Sequence, residues 1–335
     1  MYAAVMANGC GLDTWQCNSQ CSVAVSDTVS GPYTIDEEHG LIAGSFCHNP
    51  SAHLAPDGTI VIFHIGNGLP HDGVPPMHCS SGNGSTDPAF PPATLCKRKP
   101  QQASLFVDHR AGDVSNDGGC FTAGRFQVGD AVEPDAMPNI AWTNASTPSG
   151  PFTPLRDPAK SGSWGANNAA VHLYDNGTVL VVAKFSCNAT VSPDPTVFCR
   201  QLGVFTAPRW DAPSFTFIKM LELYGEDPGI FRTARGLHMI ADLRQYLPTL
   251  PGPLPHGPIH AFSPDGLDWT INMLEAGVLE NGGLALTRRE RPHILMHTPH
   301  EDAERVPVAL FNGASLGNTH AVGGDQTFTL VQPFR

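Results

Sequence analysis

In the stretch Glu226-Asp227-Pro228-Gly229-Ile230-Phe231-Arg232-Thr233-Ala234-Arg235-Gly236-Leu237-His238-Met239-Ile240, a polar pair and a proline lead into strand-like residues. A glycine follows eight positions after the proline, and a second apolar run follows the glycine. The same ruler fits His48-Asn49-Pro50 with Gly58 and Thr59-Ile60-Val61-Ile62-Phe63. It fits Asn167-Asn168-Ala169 with Gly177 and Thr178-Val179-Leu180-Val181-Val182. Glu290-Arg291-Pro292 opens a fourth unit of the same kind. Each unit reads as a β-hairpin that begins with polar residues, and recurrence of such a unit points to radial or stacked β architecture. The repeat also sets four polar pairs at equivalent positions, around one centre if the units are arranged radially.

A second signature accompanies the hairpins. Ser26 to Thr34 reads SDTVSGPYT, Asn144 to Thr153 reads NASTPSGPFT, Ala207 to Thr216 reads APRWDAPSFT, and Ser263 to Thr270 reads SPDGLDWT. Each follows a short strand and ends on an aromatic near a threonine, which supplies a third and a fourth strand per unit. The order hairpin, strand, turn, aromatic strand predicts an all-β chain folded as a single five-bladed β-propeller over 1–335. The blades are expected at about 1–38, 46–155, 165–221, 224–272 and 289–333. Blade 2 carries a long loop insertion, roughly Gly68 to Gly119. No inner strand for blade 1 is visible in the sequence. A β-sandwich is the competing fold, but it does not account for the eight-residue ruler.

Composition agrees. The chain has 335 residues with 34 Gly and 31 Pro, and only 15% of them are charged, which suits a turn-rich β protein. Net charge is −12 and no basic cluster exceeds Lys97-Arg98-Lys99, so nucleic acid is not an expected partner. No apolar run approaches the ~20 residues of a membrane-spanning helix. There is no GxSxG elbow, P-loop or HExxH spacing.

Nine cysteines show no paired CxxC framework, and there are four sequons, at Asn83, Asn144, Asn176 and Asn188. Together they suggest loop-stapling disulfides, glycosylation and a secreted or secretory-pathway protein. The opening Met1-Tyr2-Ala3-Ala4-Val5-Met6 has neither a basic n-region nor a long apolar core. It reads as a strand of the fold and not as a signal segment. The odd cysteine leaves one thiol over.

In a propeller the inner strands line the channel, and their first residues meet at one mouth. The pairs His48/Asn49, Asn167/Asn168, Glu226/Asp227 and Glu290/Arg291 should therefore converge. Two carboxylates on adjacent blades suit cleavage of a glycosidic bond, in which one carboxyl holds a proton as the acid and the other acts as base or nucleophile. Neighbouring like charge helps a carboxyl keep its proton, and Arg291 would act in the opposite sense on a carboxylate beside it.

The SxxGPF/Y and SPDGLDW turns, the Glu226-Asp227-Pro228 strand and the blade count resemble the five-bladed propeller glycoside hydrolases of the arabinanase, xylosidase and invertase type. That resemblance implies a glycan or small sugar substrate and inner-strand carboxylates: a base Asp, a tuning Asp and an acid Glu. Here Asn49 and Asn168 stand where carboxylates are expected, so Glu226, Asp227 and Glu290 are the catalytic candidates. Glu226 or Glu290 would be the acid, and Asp227 the base or the tuning residue. His48, Asn49, Asn167, Asn168, His260, Arg291, Trp15 and Asn18 are candidates for binding the substrate, with Trp164 as a further stacking surface. No cofactor is expected, although a channel calcium or other metal near His48 and His260 is an alternative. Two other functions compete with hydrolysis. One is a secreted propeller that binds glycans without cleaving them, and the other is a metal-dependent lyase or isomerase using His48 and His260.

Overall fold

The ruler glycines fall in hairpin turns for two different physical reasons. In Asp57-Gly58-Thr59 and Asn176-Gly177-Thr178 the glycine is left-handed, with φ of 84° and 87°. The preceding side-chain oxygen accepts the threonine amide, at 2.9 Å for Asp57 and 3.0 Å for Asn176. This is a turn closed by a left-handed glycine, which only a residue without Cβ adopts at no cost. Gly236 pairs with Thr233 across a two-residue loop, also at a positive φ (143°), and its own place is crowded besides. A Cβ there would lie 2.5 Å from the Ser263 carbonyl oxygen.

The computed structural model describes residues 1–8, 18–36, 41–43, 47–66, 140–154, 166–186, 200–212, 215–243, 257–273, 288–297, 304–315 and 327–334. The insertion, Trp15, Trp164 and seven of the nine cysteines lie outside them. The described chain is all-β, in five antiparallel sheets that form the blades of a propeller. The first contains β1 (Tyr2–Met6), β2 (Ser19–Val25), β3 (Thr34–Ile35) and β4 (Leu41–Ala43). The second runs β5 (His48–Leu54), β6 (Ile60–Ile65), β7 (Ile140–Ala145), β8 (Thr153–Pro154). The third runs β9 (Ala166–Leu173), β10 (Val179–Ser186), β11 (Arg200–Ala207), β12 (Thr216–Tyr224). The fourth runs β13 (Glu226–Thr233), β14 (Gly236–Leu243), β15 (Gly257–Ser263), β16 (Thr270–Met273). The fifth has three strands among the described residues, β17 (Arg288–His297), β18 (Val306–Ser315) and β19 (Thr327–Pro333).

The strands β5, β9, β13 and β17 pack against one another in that order, as inner strands do. In the first sheet β1 occupies the second place. It pairs with β2 and lies against β5 of the next sheet, as β6 lies against β9, β10 against β13 and β14 against β17. Among the described residues no strand pairs with the free edge of β1.

Because every strand alternates its side chains, each sheet has two apolar faces and the core is a set of seams between blades. Val61, Phe63 and Trp142 meet Val179, Val181, Phe205 and Phe217 between sheets two and three. Leu180, Val182, Leu202 and Val204 meet Met239, Ala241, Ile259 and Ala261 between sheets three and four. Ile240, Ile294 and Leu310 form the next seam. Each large side chain buried this way contributes about 1.5–3 kcal/mol. Tyr33 of the first sheet meets Phe311 of the fifth edge to face, with ring centroids 6.3 Å apart.

The two SGP turns repeat in three dimensions. Gly31-Pro32 and Gly150-Pro151 are both cis, and the hydroxyls of Thr28 and Thr147 donate to the carbonyls of Gly31 and Gly150. Of the expected disulfides, Cys21–Cys47 lies within the described residues, buried, with Cα atoms 5.3 Å apart. It ties β2 to the start of β5 across 26 residues of chain. A loop of that length limits the unfolded chain by about 3.5 kcal/mol. Cys21→Ser is accordingly expected to lower the urea midpoint, with a loss of about 2–4 kcal/mol.

Candidate functional site

The inner strands open on residues with an unusual backbone. Asn49, Asn168, Asp227 and Arg291 have φ of 55°, 54°, 55° and 56°. Left-handed backbone is tolerated by Asn and Asp and is an outlier for a long side chain such as Arg. In all four strands the ladder slips at this point, between His48 and Ser51, Asn167 and Ala170, Glu226 and Gly229, and Glu290 and His293. In the second of these, Asn168 and Ala169 of β9 face the single residue Ala183 of β10. Bulges of this kind turn consecutive side chains to new directions, and here they bring the openings of four blades together.

A polar chain crosses the blades. Asn49 Nδ2 donates to Asn168 Oδ1 at 3.2 Å, and Asn168 Nδ2 donates to Glu226 Oε1 at 3.0 Å. Lys184 Nζ donates to the same Glu226 oxygen at 2.9 Å, with both side chains buried. On the far side of Glu226, Asp227 Oδ1 lies 2.9 Å from Arg291 Nη1, linking β13 to β17. That contact is an ion pair without aligned hydrogen-bond geometry, because neither Asp227 oxygen has a hydrogen-bond partner among the described residues. Asp227 is 2% exposed. One carboxylate oxygen from each of Glu226, Asp227 and Glu290 lies within 4.8 Å of the others. Such a group has the size of a cation site. Lys184 and Arg291 already bring two positive charges to it.

Gly229 makes this closeness possible. A Cβ at this position would stand 2.0 Å from the carbonyl oxygen of Pro292. The inner strands of blades four and five therefore touch backbone to backbone next to the carboxylates.

The other candidates divide. His48 is buried at the opening of β5, and burial followed by the nearby Arg291 guanidinium pushes its imidazole down to about 3. It is a neutral group at physiological pH. Asn167 belongs to β9, opposite Lys184 in the ladder. Asn18 is buried, and it donates to the Ala7 carbonyl at 3.3 Å, which closes the β1–β2 hairpin. His260 lies on the third strand of its sheet, and its Nε2 is 2.9 Å from His238 Nδ1. Burial lowers both of these imidazoles. Neither His48 nor His260 belongs to the clustered group.

Sequence reasoning did not single out Lys184 or Gly229. The available signal for the first was a lone lysine in the apolar run Val179-Leu180-Val181-Val182-Ala183-Lys184-Phe185, a position where a charge is retained only with a partner.

With this geometry in hand, the chain can be set beside known proteins. No protein-family model and no curated protein sequence matches it. Among solved structures it is similar to a thermostable family-43 glycoside hydrolase, with 10% identity and a TM-score of 0.52 over 99% of this chain and 85% of that one. An endo-1,4-beta-xylanase from Bacteroides thetaiotaomicron aligns over 100% of this chain and 89% of its own, with 10% identity and a TM-score of 0.48. The class defined by the fold is the five-bladed β-propeller. The particular version is the one seen in that family-43 glycoside hydrolase, as the resemblance of the turns implied.

Proposed function

We propose that this protein is a carbohydrate-active hydrolase that cleaves a glycosidic bond with paired carboxylates at the propeller axis. The observation that carries the reading is the convergence of Glu226, Asp227 and Glu290 within 4.8 Å at the openings of two adjacent inner strands. The chemistry needs one carboxyl that delivers a proton to the leaving oxygen and one carboxylate that activates water or attacks the sugar. Glu226 or Glu290 serves as the acid, with Asp227 as base or tuning residue. Asn49, Asn168, neutral His48 and Arg291 surround them with groups that hydrogen-bond to hydroxyls. The reading uses no cofactor. Cys21–Cys47 and the sequons, of which Asn176 lies exposed in a hairpin turn, support a secreted glycoprotein. The substrate is a glycan, with furanosides the first class to try.

A second reading, glycan binding without cleavage, draws on the Asn49–Asn168–Glu226 chain, since amides bind hydroxyls but do no acid–base work near neutral pH. A panel of aryl glycosides and polysaccharides separates the two. Turnover is expected, and Glu226→Gln, Asp227→Asn and Glu290→Gln should each lower kcat/KM by about 10²–10⁴-fold. Glycan-array binding with no product would establish the second reading. Full turnover in all three variants would remove the carboxylates from the mechanism.

A further inference from the structure

Lys184 raises a question that stability does not answer. It stands in the second strand of its sheet at the ladder slip that follows Val182, and its ammonium is buried against Glu226 of the next blade. Placing two charges in the protein interior is costly, and apolar residues of the same volume often serve stability as well or better. A carboxylate oxygen that accepts from an ammonium at 2.9 Å and from the Asn168 amide at 3.0 Å is stabilised in its charged form by both.

We infer that Lys184 is a positioning residue that keeps Glu226 ionised, so that the proton donor of the site is Glu290. The assignment of the donor rests on the hydrolase reading above, while the state of Glu226 does not. All charged groups around Glu226 enter the balance. Lys184 faces it from β10. Asp227 adjoins it on β13, and Asp242 is its ladder partner on β14. Glu290 and Arg291 face it from β17, with Arg291 in contact with Asp227. His48 from β5 is neutral at physiological pH. Lys184 is in direct contact with Glu226, and it favours the carboxylate against the like charges of its neighbours.

The test is a direct titration of the full chain. The carboxyl signal of Glu226 is followed by infrared or carbon-detected NMR spectroscopy and assigned by its loss in Glu226→Gln. In the wild type it should be a carboxylate throughout pH 5–8. Lys184→Met should raise its titration midpoint by about 1–3 pH units, the range expected for removing an opposite charge in contact, and Lys184→Arg should restore most of it. A merely structural lysine would leave that midpoint where it was, and this result overturns the inference. A protonated Glu226 at pH 6 in the wild type overturns it as well, without requiring that any variant folds. If the wild type cleaves no glycoside while the titration behaves as expected, the hydrolase reading fails and the link between Lys184 and Glu226 stands.

Discussion

Gly229→Ala should unfold the seam between the fourth and fifth blades. The added Cβ would meet the Pro292 carbonyl oxygen at 2.0 Å and its carbonyl carbon at 3.0 Å. Both atoms belong to backbone, so no side-chain rotation relieves the overlap. The neighbour is also a proline beside a left-handed Arg291, which leaves that segment little freedom to yield. Overpacking in ordinary cores costs about 1–3 kcal/mol and more where nothing can move, and the upper end applies here. Separation of β13 from β17 would also break the 2.9 Å Asp227–Arg291 pair. The expected result is a fall of about 3 kcal/mol or more in urea-denaturation stability. Any Gly229→Ala protein that does fold should have lost the site's activity. Wild-type stability in the variant would mean that the two strands do not touch at this point.

Acid should destabilise the protein well before its carboxylates titrate. Burial pushes four imidazoles furthest down: His48 and His53 to about 3, His64 and His172 to about 4. His293 and His172 add repulsion at His53, and Arg232 adds it at His172. In the unfolded chain each of these groups takes up a proton near pH 6.5, whereas in the folded chain it does so only near 3 or 4. Between those limits the unfolded state binds more protons, so stability falls as pH falls. Above about 6.5 the groups are neutral in both states and contribute no pH dependence. Each group contributes up to about 1.4 kcal/mol per pH unit. Four together would exhaust an ordinary stability of about 5–15 kcal/mol within a few pH units. The expected result is a flat thermal midpoint above pH 7 and a steep decline from about 6.5 to 4.5. His64→Gln and His53→Gln should each make the decline shallower, and an unchanged slope in both would disprove this account.

Much of the fold was legible because the signals are local. The glycines after Asp57 and Asn176 close their hairpins through contacts within two or three residues, and the SGP turns are closed by a threonine three residues away. The ruler located Asn49, Asn168, Asp227 and Arg291, which share a left-handed backbone with Asn8 as the one other non-glycine case among the described residues, although backbone conformation was no part of its reading. Repetition fixes equivalent positions in equivalent units, and the radial fold then brings those positions to one end.

What the sequence alone determined, then, is the order of strands and turns and the place of four polar pairs at the openings of the inner strands, because hydrophobic alternation and turn chemistry act over a few residues. The tertiary structure alone decided which of those residues touch. Lys184 reaches Glu226 from 42 positions away, and Asn49 reaches Asn168 from 119. His260 pairs with His238, Asn18 closes a hairpin, and Gly229 lets two backbones meet. These contacts depend on how neighbouring sheets seat against each other, and that distance is set by packing across the seams, which no local pattern encodes.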